Sequence, residues 1–275
     1  MKRKTKHFMI AAAIFILGLF STTSVMAAQK SKVTIKPNKT YTSYDVTGNG
    51  KKDKFLIKFS PEKYLRIYVN GKRCYSSNVK DTFAINAELC TLKNKKSYLH
   101  LKRISPMNDN LVSDVFMTYR SGKFITSVNT LSHMNRASHG RYESFVDKVG
   151  SNYIRIMERA LFYDVGIIQY YVTYKQSGYK LILTGKTYPI TYKKPSPYFP
   201  LIKNVWTASK DFYSFAPDGN DTFVNSIGDK ISLYKIRFID GMPEIYMKNI
   251  ATGQFSWYIC PDEYNGQIFN ESVFI

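Results

Sequence analysis

The stretch of the sequence best suited to chemistry is the loop YDVTGNGKKDK at residues 44–54. Oxygen atoms fall at alternate positions of this loop, from Asp45, Thr47, Asn49, Lys51 (through its carbonyl) and Asp53. Calcium prefers oxygen ligands, and calcium loops commonly supply them at alternate positions of a tight turn. Gly48 and Gly50 permit the positive φ angles that such a turn requires. The spacing therefore predicts a calcium site.

A turn without metal explains the same residues. Asp45 and Asn49 can accept hydrogen bonds from their own backbone. Asp45 and Asp53 are the loop's formal anions, and the nearby lysines add positive charge, so calcium would bind with a Kd of about 10⁻⁴–10⁻³ M. Both interpretations stay open, and the cofactor prediction is none, or weakly bound Ca²⁺.

The histidines do not form a catalytic pattern. His133 and His139 are six positions apart, which does not fit the i, i+4 pair of a helical metal site. His100 alternates with Leu99 and Leu101, so we expect it to face solvent. The Gly-x-Ser-x-Gly, phosphate-loop and His-Glu-x-x-His motifs are absent. The sequence predicts a protein that is not an enzyme.

The N-terminus has the pattern of a secretory signal peptide. Four basic residues precede the 13 apolar residues 8–20, and a run of small residues follows. An apolar run of this length is shorter than the ~20 residues of a membrane-spanning helix. We therefore predict a signal peptide at 1–27 and a secreted, extracellular or cell-wall-associated chain. No transmembrane segment is expected after its removal.

The elements that must position these residues are strands. The chain has 22 Tyr and 18 Phe, and aromatic enrichment favours β structure. Alternating segments flank turn signals at Asn70-Gly71, Ser121-Gly122 and Ser177-Gly178, which predicts three hairpins. A short helix is predicted near residues 142–149. Residues 132–144 are polar and poorly patterned, which predicts a mobile loop.

Charge and proline content divide the chain. Residues 28–195 hold 30 Lys and Arg against 11 Asp and Glu, whereas residues 196–275 hold 6 against 9. Three prolines lie within residues 195–200, where they disfavour strand pairing. We predict a basic β domain at 28–190, a linker at 191–202 and a small domain at 203–275. The fold class is all-β: an N-terminal antiparallel domain built of hairpins (sandwich or partial propeller-like) plus a small C-terminal barrel.

The loop at 44–54 and the strands after it resemble one repeat of the VCBS and integrin-α type, DVTGNGKKDKFLI followed by LRIYVNGK. The resemblance covers about 30 residues of extracellular β protein and implies calcium on the loop residues named above. The C-terminal TGQFSWYIC resembles the ending of bacterial Src-homology-3-like domains. That family implies binding of peptides or wall polymers. In this copy the implied groove aromatics are Tyr213, Tyr246, Trp257 and Tyr258.

Three cysteines remain after the signal, so one thiol at least has no partner within the chain. Cys74 and Cys90 lie on neighbouring predicted strands, where a disulfide would close a short loop. Three buried, reduced cysteines are the alternative.

Together these features resemble secreted proteins of Gram-positive (gut-type Firmicutes) bacteria. The first hypothesis is a secreted, non-catalytic protein held to the cell envelope by anionic wall polymers. The second is a glycan- or protein-binding module that uses an aromatic face and a weak calcium site, and a secreted hydrolase ranks third. The predicted partner is an anionic envelope polymer or glycan, and no nucleic acid is expected.

Overall fold

The computed structural model describes residues 31–106, 111–133, 142–193, 203–261 and 263–272. Within them the regular secondary structure is almost entirely β-strand, with one short 3₁₀ turn at Thr130–His133. Residues 31–275 form one compact unit. The all-β prediction is confirmed, and the sheets are antiparallel as expected. The described part of the chain contains no helix with the length and hydropathy of a membrane span.

The chain forms four sheets, and each is mainly a run of hairpins. Sheet 1 and sheet 2 both come from the N-terminal half of the chain, and the first strand of the chain belongs to sheet 2. Sheet 2 holds, in spatial order, β1 (Lys32–Thr34), β6 (Ala84–Thr91), β7 (Ser97–Ile104), β8 (Leu111–Arg120) and β9 (Lys123–Asn129). Sheet 1 holds β2 (Thr40–Tyr44), β3 (Asp53–Ser60), β4 (Tyr64–Val69) and β5 (Lys72–Asn78).

The other two sheets come from the C-terminal half. Sheet 3 holds β10 (Tyr142–Val149), β11 (Tyr153–Phe162), β12 (Gly166–Ser177) and β13 (Lys180–Thr184). Sheet 4 holds, in spatial order, β14 (Thr187–Pro189), β18 (Lys230–Ile239), β19 (Met242–Asn249), β20 (Phe255–Ile259), β16 (Phe212–Phe215) and β17 (Thr222–Asn225), and β15 (Trp206–Thr207) pairs with β18.

The predicted hairpins are confirmed, with one shift at a turn. Asn70-Gly71 and Ser121-Gly122 have positive φ at both residues, as a primed two-residue turn requires. In the third hairpin Ser177 pairs with Lys180, so the turn residues are Gly178 and Tyr179, one position later than predicted. Gly178 alone has positive φ there, which is the pattern of a turn led by glycine.

Sheet 2 is buried on both faces because it lies between two hydrophobic cores. Leu99, Leu101 and Met117 point into a core shared with sheet 1. Tyr98 and Phe116 point into the larger core, which also includes residues of sheets 3 and 4. Alternate side chains of β7 therefore meet protein on either side.

The burial of both faces explains why the prediction for His100 is wrong. His100 is 1% exposed, and its ring stacks on Phe116 at 4.2 Å between centroids. Its Nε2 lies 2.6 Å from Asp114 Oδ1, and its Nδ1 lies 3.6 Å from Glu88 Oε2. The hydroxyl of Ser144 donates to the second oxygen of Asp114. His, Asp and Ser thus form a buried network with Asp114 at its centre, an arrangement that supports a structural role.

The charges in this network stabilise one another. Burial alone would lower the pKa of His100, but the carboxylates of Asp114 and Glu88 outweigh burial and raise it. Burial would raise the pKa of Asp114, but His100, Lys102 and the Ser144 hydroxyl lower it. The pKa of Glu88 is lowered despite its burial, by His100 and by the neighbouring lysines. We infer a buried imidazolium held between two carboxylates.

The helix predicted at Tyr142–Val149 is wrong, because these residues form β10 and pair with β11. The pairing shifts register between Val146 and Lys148, which gives β10 a bulge. The mobile loop predicted at 132–144 has its centre, 134–141, outside the described residues.

The C-terminal strands do not close into the predicted barrel. In the described residues, sheet 4 is open, with β14 at one end and β17 at the other. Its inner face packs onto the core shared with sheet 3, through residues such as Ile236, Ile245 and Tyr258. Since a neighbouring sheet buries the apolar inner face, closure is not needed to remove that face from water.

The predicted linker at 191–202 lies mostly outside the described residues, of which 203 is the next after 193. Strand β14 precedes the linker, yet it pairs with β18 beyond it. The hydroxyl of Tyr192 donates to the Leu233 carbonyl at 2.6 Å. One core spans both sides, and the division into domains at 28–190 and 203–275 stays a prediction.

All three cysteines are buried free thiols, so the Cys74–Cys90 disulfide does not form in this structure. Cys74 belongs to the core between sheets 1 and 2, whereas Cys90 belongs to the larger core. The two side chains therefore point into different cores, although their strands are consecutive in the sequence. Burial raises the pKa of the Cys90 thiol far above its ordinary value, which makes it a poor nucleophile.

Candidate functional site

The outer face of sheet 4 carries a group of exposed aromatic residues that strand pairing brings together. Directly paired residues of an antiparallel sheet point to the same side. Pairing across the strands from β18 to β17 aligns Lys235, Tyr246, Trp257, Phe215 and Thr222 in one row. Neighbouring strands are about 4.8 Å apart, so this row is roughly 19 Å long.

Further aromatic and basic residues flank the row. We call the whole set the aromatic face: Tyr213, Phe215, Tyr234, Tyr246, Phe255, Trp257, Lys235, Arg237 and Lys248. Tyr213 is 66% exposed and Phe255 is 37% exposed. Tyr246 stacks on Phe255 at 5.5 Å and contacts Trp257 at 4.8 Å between centroids. Tyr234 also contacts Phe255 at 5.6 Å between centroids, so the rings of Tyr234, Tyr246, Phe255 and Trp257 form one connected cluster.

Trp257 lies at the centre of the face but is itself covered. Its side chain points outward, yet it is only 5% exposed. The guanidinium of Arg237 lies 3.9 Å from its ring centroid, and the ammonium of Lys235 lies 5.5 Å away. Cations over the face of an aromatic ring are attracted by its quadrupole. Trp257 thus supports the face and fixes the positions of two cations.

The cations of the aromatic face are not equally available to a ligand. Arg237 is committed to Glu244, at 2.6 Å between Nη2 and Oε2. In the part of the chain that the structure describes, no ion pair is found for Lys235 or Lys248. Their ammonium groups lie over Tyr246 and Phe255, at 4.5 and 5.2 Å from the centroids. The face therefore offers positive charge directly beside exposed rings.

The structure brings together three of the four aromatics that the sequence suggested. Tyr213, Tyr246 and Trp257 lie on the aromatic face. Tyr258 alternates with Trp257 and points into the core, where it is 8% exposed and its hydroxyl donates to Asp164 at 3.4 Å. Sequence reasoning missed Phe215, Tyr234 and Phe255. The period-two alternation of FSWYI could have separated Phe255 and Trp257 from Tyr258.

The loop at 44–54 has the hydrogen bonds of a turn. Asp45 accepts hydrogen bonds from the amides of Gly48, Asn49 and Gly50, at 2.7–3.1 Å. The Asn49 side chain accepts one from the amide of Lys51.

Asp53 closes the other side of the loop. It is buried, and its Oδ2 accepts hydrogen bonds from the amides of Val46 and Thr47, both at 2.9 Å. Its Oδ1 accepts one from the Asn70 side chain at 2.8 Å. No group of three acidic, histidine or cysteine side chains that could hold a metal occurs among the described residues. The turn interpretation accounts for these residue types without a cation, and a calcium site stays a prediction.

We expect Asp45→Ala to destabilise the protein equally with and without calcium. Loss of the carboxylate leaves three loop amides without their acceptor, and removal of a comparable cap costs about 1–2 kcal/mol. The measurement is a thermal melt of both proteins in 5 mM Ca²⁺ and in excess EDTA. A midpoint that rises with Ca²⁺ in the natural chain but not in the variant would contradict the turn interpretation, since a ligand stabilises the state that binds it.

Comparisons of the chain with family models, with curated proteins and with solved structures give no match.

Proposed function

We propose that this protein is a secreted, non-catalytic binding protein that holds an anionic glycan of the cell envelope on the aromatic face. The observation that carries the proposal is the cross-strand row of Lys235, Tyr246, Trp257 and Phe215 on an outer face that the described residues leave open to solvent. Contiguous exposed apolar surface rimmed by polar groups is typical of interaction sites.

The geometry suits a chain of sugar rings. A pyranose presents an apolar C–H surface, and exposed aromatic rings such as Tyr213 and Phe255 offer flat apolar partners at low entropic cost. The row from Lys235 to Phe215 spans three strand spacings, roughly 14 Å, which is longer than one sugar ring. A polymer can therefore contact several rings at once.

The charges suit an anionic polymer rather than a neutral one. Lys235 and Lys248 lie beside the rings and can pair with carboxylate or phosphate groups along the polymer. After removal of the predicted signal peptide the chain carries a formal charge of +16, from +19 in residues 28–195 and −3 in residues 196–275. Such a field attracts polyanions over long distances and raises the association rate. Attraction by the N-terminal half and stacking by sheet 4 then cooperate.

Truncation of exposed rings on the aromatic face should weaken binding to purified anionic wall polymer. We expect Tyr213→Ala and Phe255→Ala each to lower affinity about tenfold, because each removes a stacking partner worth roughly 1–1.5 kcal/mol. Phe83→Ala is the matched control, since Phe83 is exposed but lies outside sheet 4. Equal affinities for all three variants and the natural chain would overturn the proposal.

Two further arms of the same assay separate glycan from other ligands. Lys235→Gln and Lys248→Gln should reduce affinity more at low salt than at 0.5 M salt, because salt screens exposed charges. A single-stranded oligonucleotide also combines negative charge with flat rings, so it serves as the competing ligand. Tighter binding to the oligonucleotide than to the polymer would reassign the face to nucleic acid.

A further inference from the structure

A second surface, separate from the aromatic face, gathers lysines around a cleft of about 490 Å³ between sheets 2 and 3. Lys32 comes from β1, Lys36 from the segment after it, Lys102 from β7 and Lys193 from the segment after β14. Three stretches that are remote from one another in the sequence thus supply four lysines to one cleft. The cleft is within the range of ligand sites for small molecules, about 300–1,000 Å³.

Two of the four ammonium groups are held in position. Lys32 Nζ donates to the carbonyl of Val146, and Lys102 Nζ donates to the carbonyl of Ser144, each at 2.6 Å. Both carbonyls belong to β10, two residues apart. An ammonium group has three donors, so each lysine keeps donors for a ligand after this bond. The site is therefore organised before any ligand binds.

The carboxylates of the cleft already have partners. Asp147 pairs with Arg155 at 2.7 Å and with Lys193 at 3.2 Å. Glu88 lies between Lys32 at 3.7 Å and His100 at 3.6 Å. Arg155 and His100 add two cations to the four lysines, against the three carboxylates of Glu88, Asp147 and Asp114, the last of which pairs with His100 at 2.6 Å. The described residues give Lys36 and Lys102 no carboxylate partner within ion-pair distance, so the cleft keeps an excess of positive charge.

We propose that this cleft binds a phosphate group carried by a small polyol or sugar. Lysine ammonium groups act as point charges that suit the tetrahedral oxygens of phosphate, whereas planar carboxylates are matched by the fork of arginine. The wall beside the lysines is apolar, with Ile85, Phe145 and Met157, and it can cover a carbon skeleton. Lys102 also lies over the ring of Phe145, 5.0 Å from its centroid.

The test measures binding of glycerol 1-phosphate to the chain from residue 28 onward by titration calorimetry at low salt. We expect Lys36→Gln to weaken binding about fivefold, as for one exposed charge, and Lys36→Gln/Lys102→Gln to weaken it at least about tenfold. Lys63→Gln is the matched control, since Lys63 is an exposed lysine of a turn in sheet 1. Lys102 also links β7 to β10 through its hydrogen bond to the Ser144 carbonyl. The folding of the double variant is therefore checked by thermal melting, and if it is unfolded, Lys36→Gln alone is compared with the natural chain.

Three results of these titrations decide whether the cleft is a phosphate site. Absence of binding at about 10 mM glycerol 1-phosphate, or equal affinity in Lys36→Gln and Lys63→Gln, would overturn the proposal. Glucuronate binding as tightly as glycerol 1-phosphate would show a general anion site and would overturn the preference for phosphate. Tyr213→Ala/Phe255→Ala should leave glycerol 1-phosphate binding unchanged. The cleft and the aromatic face are therefore tested independently.

Discussion

Replacing His100 with leucine is expected to lower the free energy of unfolding by about 3–5 kcal/mol, because it removes one partner of a buried ion pair and leaves the other uncompensated. Asp114 is fully buried, and without the imidazole its remaining partner in the network is the Ser144 hydroxyl. Denaturant unfolding of the chain from residue 28 onward, at constant pH, measures the loss.

The same network gives the stability a defined pH dependence. The pKa of His100 is raised in the folded state, so its contribution is fully present below the unfolded pKa of about 6.5 and is lost as pH rises through the folded value. The pKa values of Asp114 and Glu88 are lowered, so their contributions are present above about pH 4 and are lost as pH falls. In His100→Leu the alkaline loss should disappear.

An apolar replacement of the whole network is the control for this prediction. His100→Leu/Asp114→Leu/Ser144→Ala removes the buried charges of His100 and Asp114 together and leaves Glu88 with Lys32 at 3.7 Å, and replacing a buried ion pair by apolar groups is often close to neutral. We expect it to recover most of the stability that His100→Leu loses. A single variant as stable as the natural chain, with an unchanged pH profile, would contradict a charged pair at this position.

Trp257→Ala is expected to cost about 3–5 kcal/mol of stability and to abolish polymer binding. Arg237 and Lys235 lie over the ring, and Tyr246 contacts it. Removal of the ring therefore removes the contacts that position these three residues of the aromatic face. Cation–π contacts of this kind contribute about 0.5–2 kcal/mol each. Unfolding and polymer binding are measured on the same preparation.

The Trp257→Phe variant distinguishes two roles of Trp257: positioning Arg237 and Lys235, and contacting the ligand directly. Phenylalanine keeps a ring beneath the two cations, so stability should fall less than in the alanine variant, and binding should fall less than about tenfold. Because Trp257 is only 5% exposed, a polymer meets the rings around it. Complete loss of binding in a stable Trp257→Phe protein would mean that the ligand contacts Trp257 itself.

Local signals in the sequence predicted the three hairpins, but not strand β10. Asn70-Gly71 and Ser121-Gly122 predicted hairpins, and both have the positive φ angles of primed turns. The alternation around His100 is that of a strand, and β7 covers Ser97–Ile104. These features depend on neighbours in the sequence, which is why they can be read without the fold.

The wrong predictions concern how sheets cover one another. Alternation predicts one buried and one solvated face, but sheet 2 is covered on both, and His100 is buried for that reason. Residues 142–149 pair with β11, a contact that local propensity does not reveal. The barrel prediction assumes that the C-terminal strands bury their inner face by closing on themselves. In the structure this inner face packs against sheet 3 instead.

Only part of the candidate site can be predicted from the sequence, because its assembly depends on pairing between strands that are distant in the chain. Residue type and resemblance predict Tyr213 and Trp257 as site residues. Their place on one face depends on the pairing of β16 with β20, two strands that are far apart in the sequence. Phe215 joins the face only through that pairing. The lysine cleft combines β1, β7 and β10 with the segment after β14, so it has no local motif at all.

The fluorescence of Trp257 during titration with anionic wall polymer tests the central claim most directly. The chain has two tryptophans, and Trp206 is buried against Phe269, so a Trp206→Phe background leaves Trp257 as the reporter. We expect a saturable change in emission that Tyr213→Ala/Phe255→Ala removes and Phe83→Ala leaves intact. Polymer that binds with no change in Trp257 emission, and with equal affinity in all variants, would contradict a glycan site on the aromatic face.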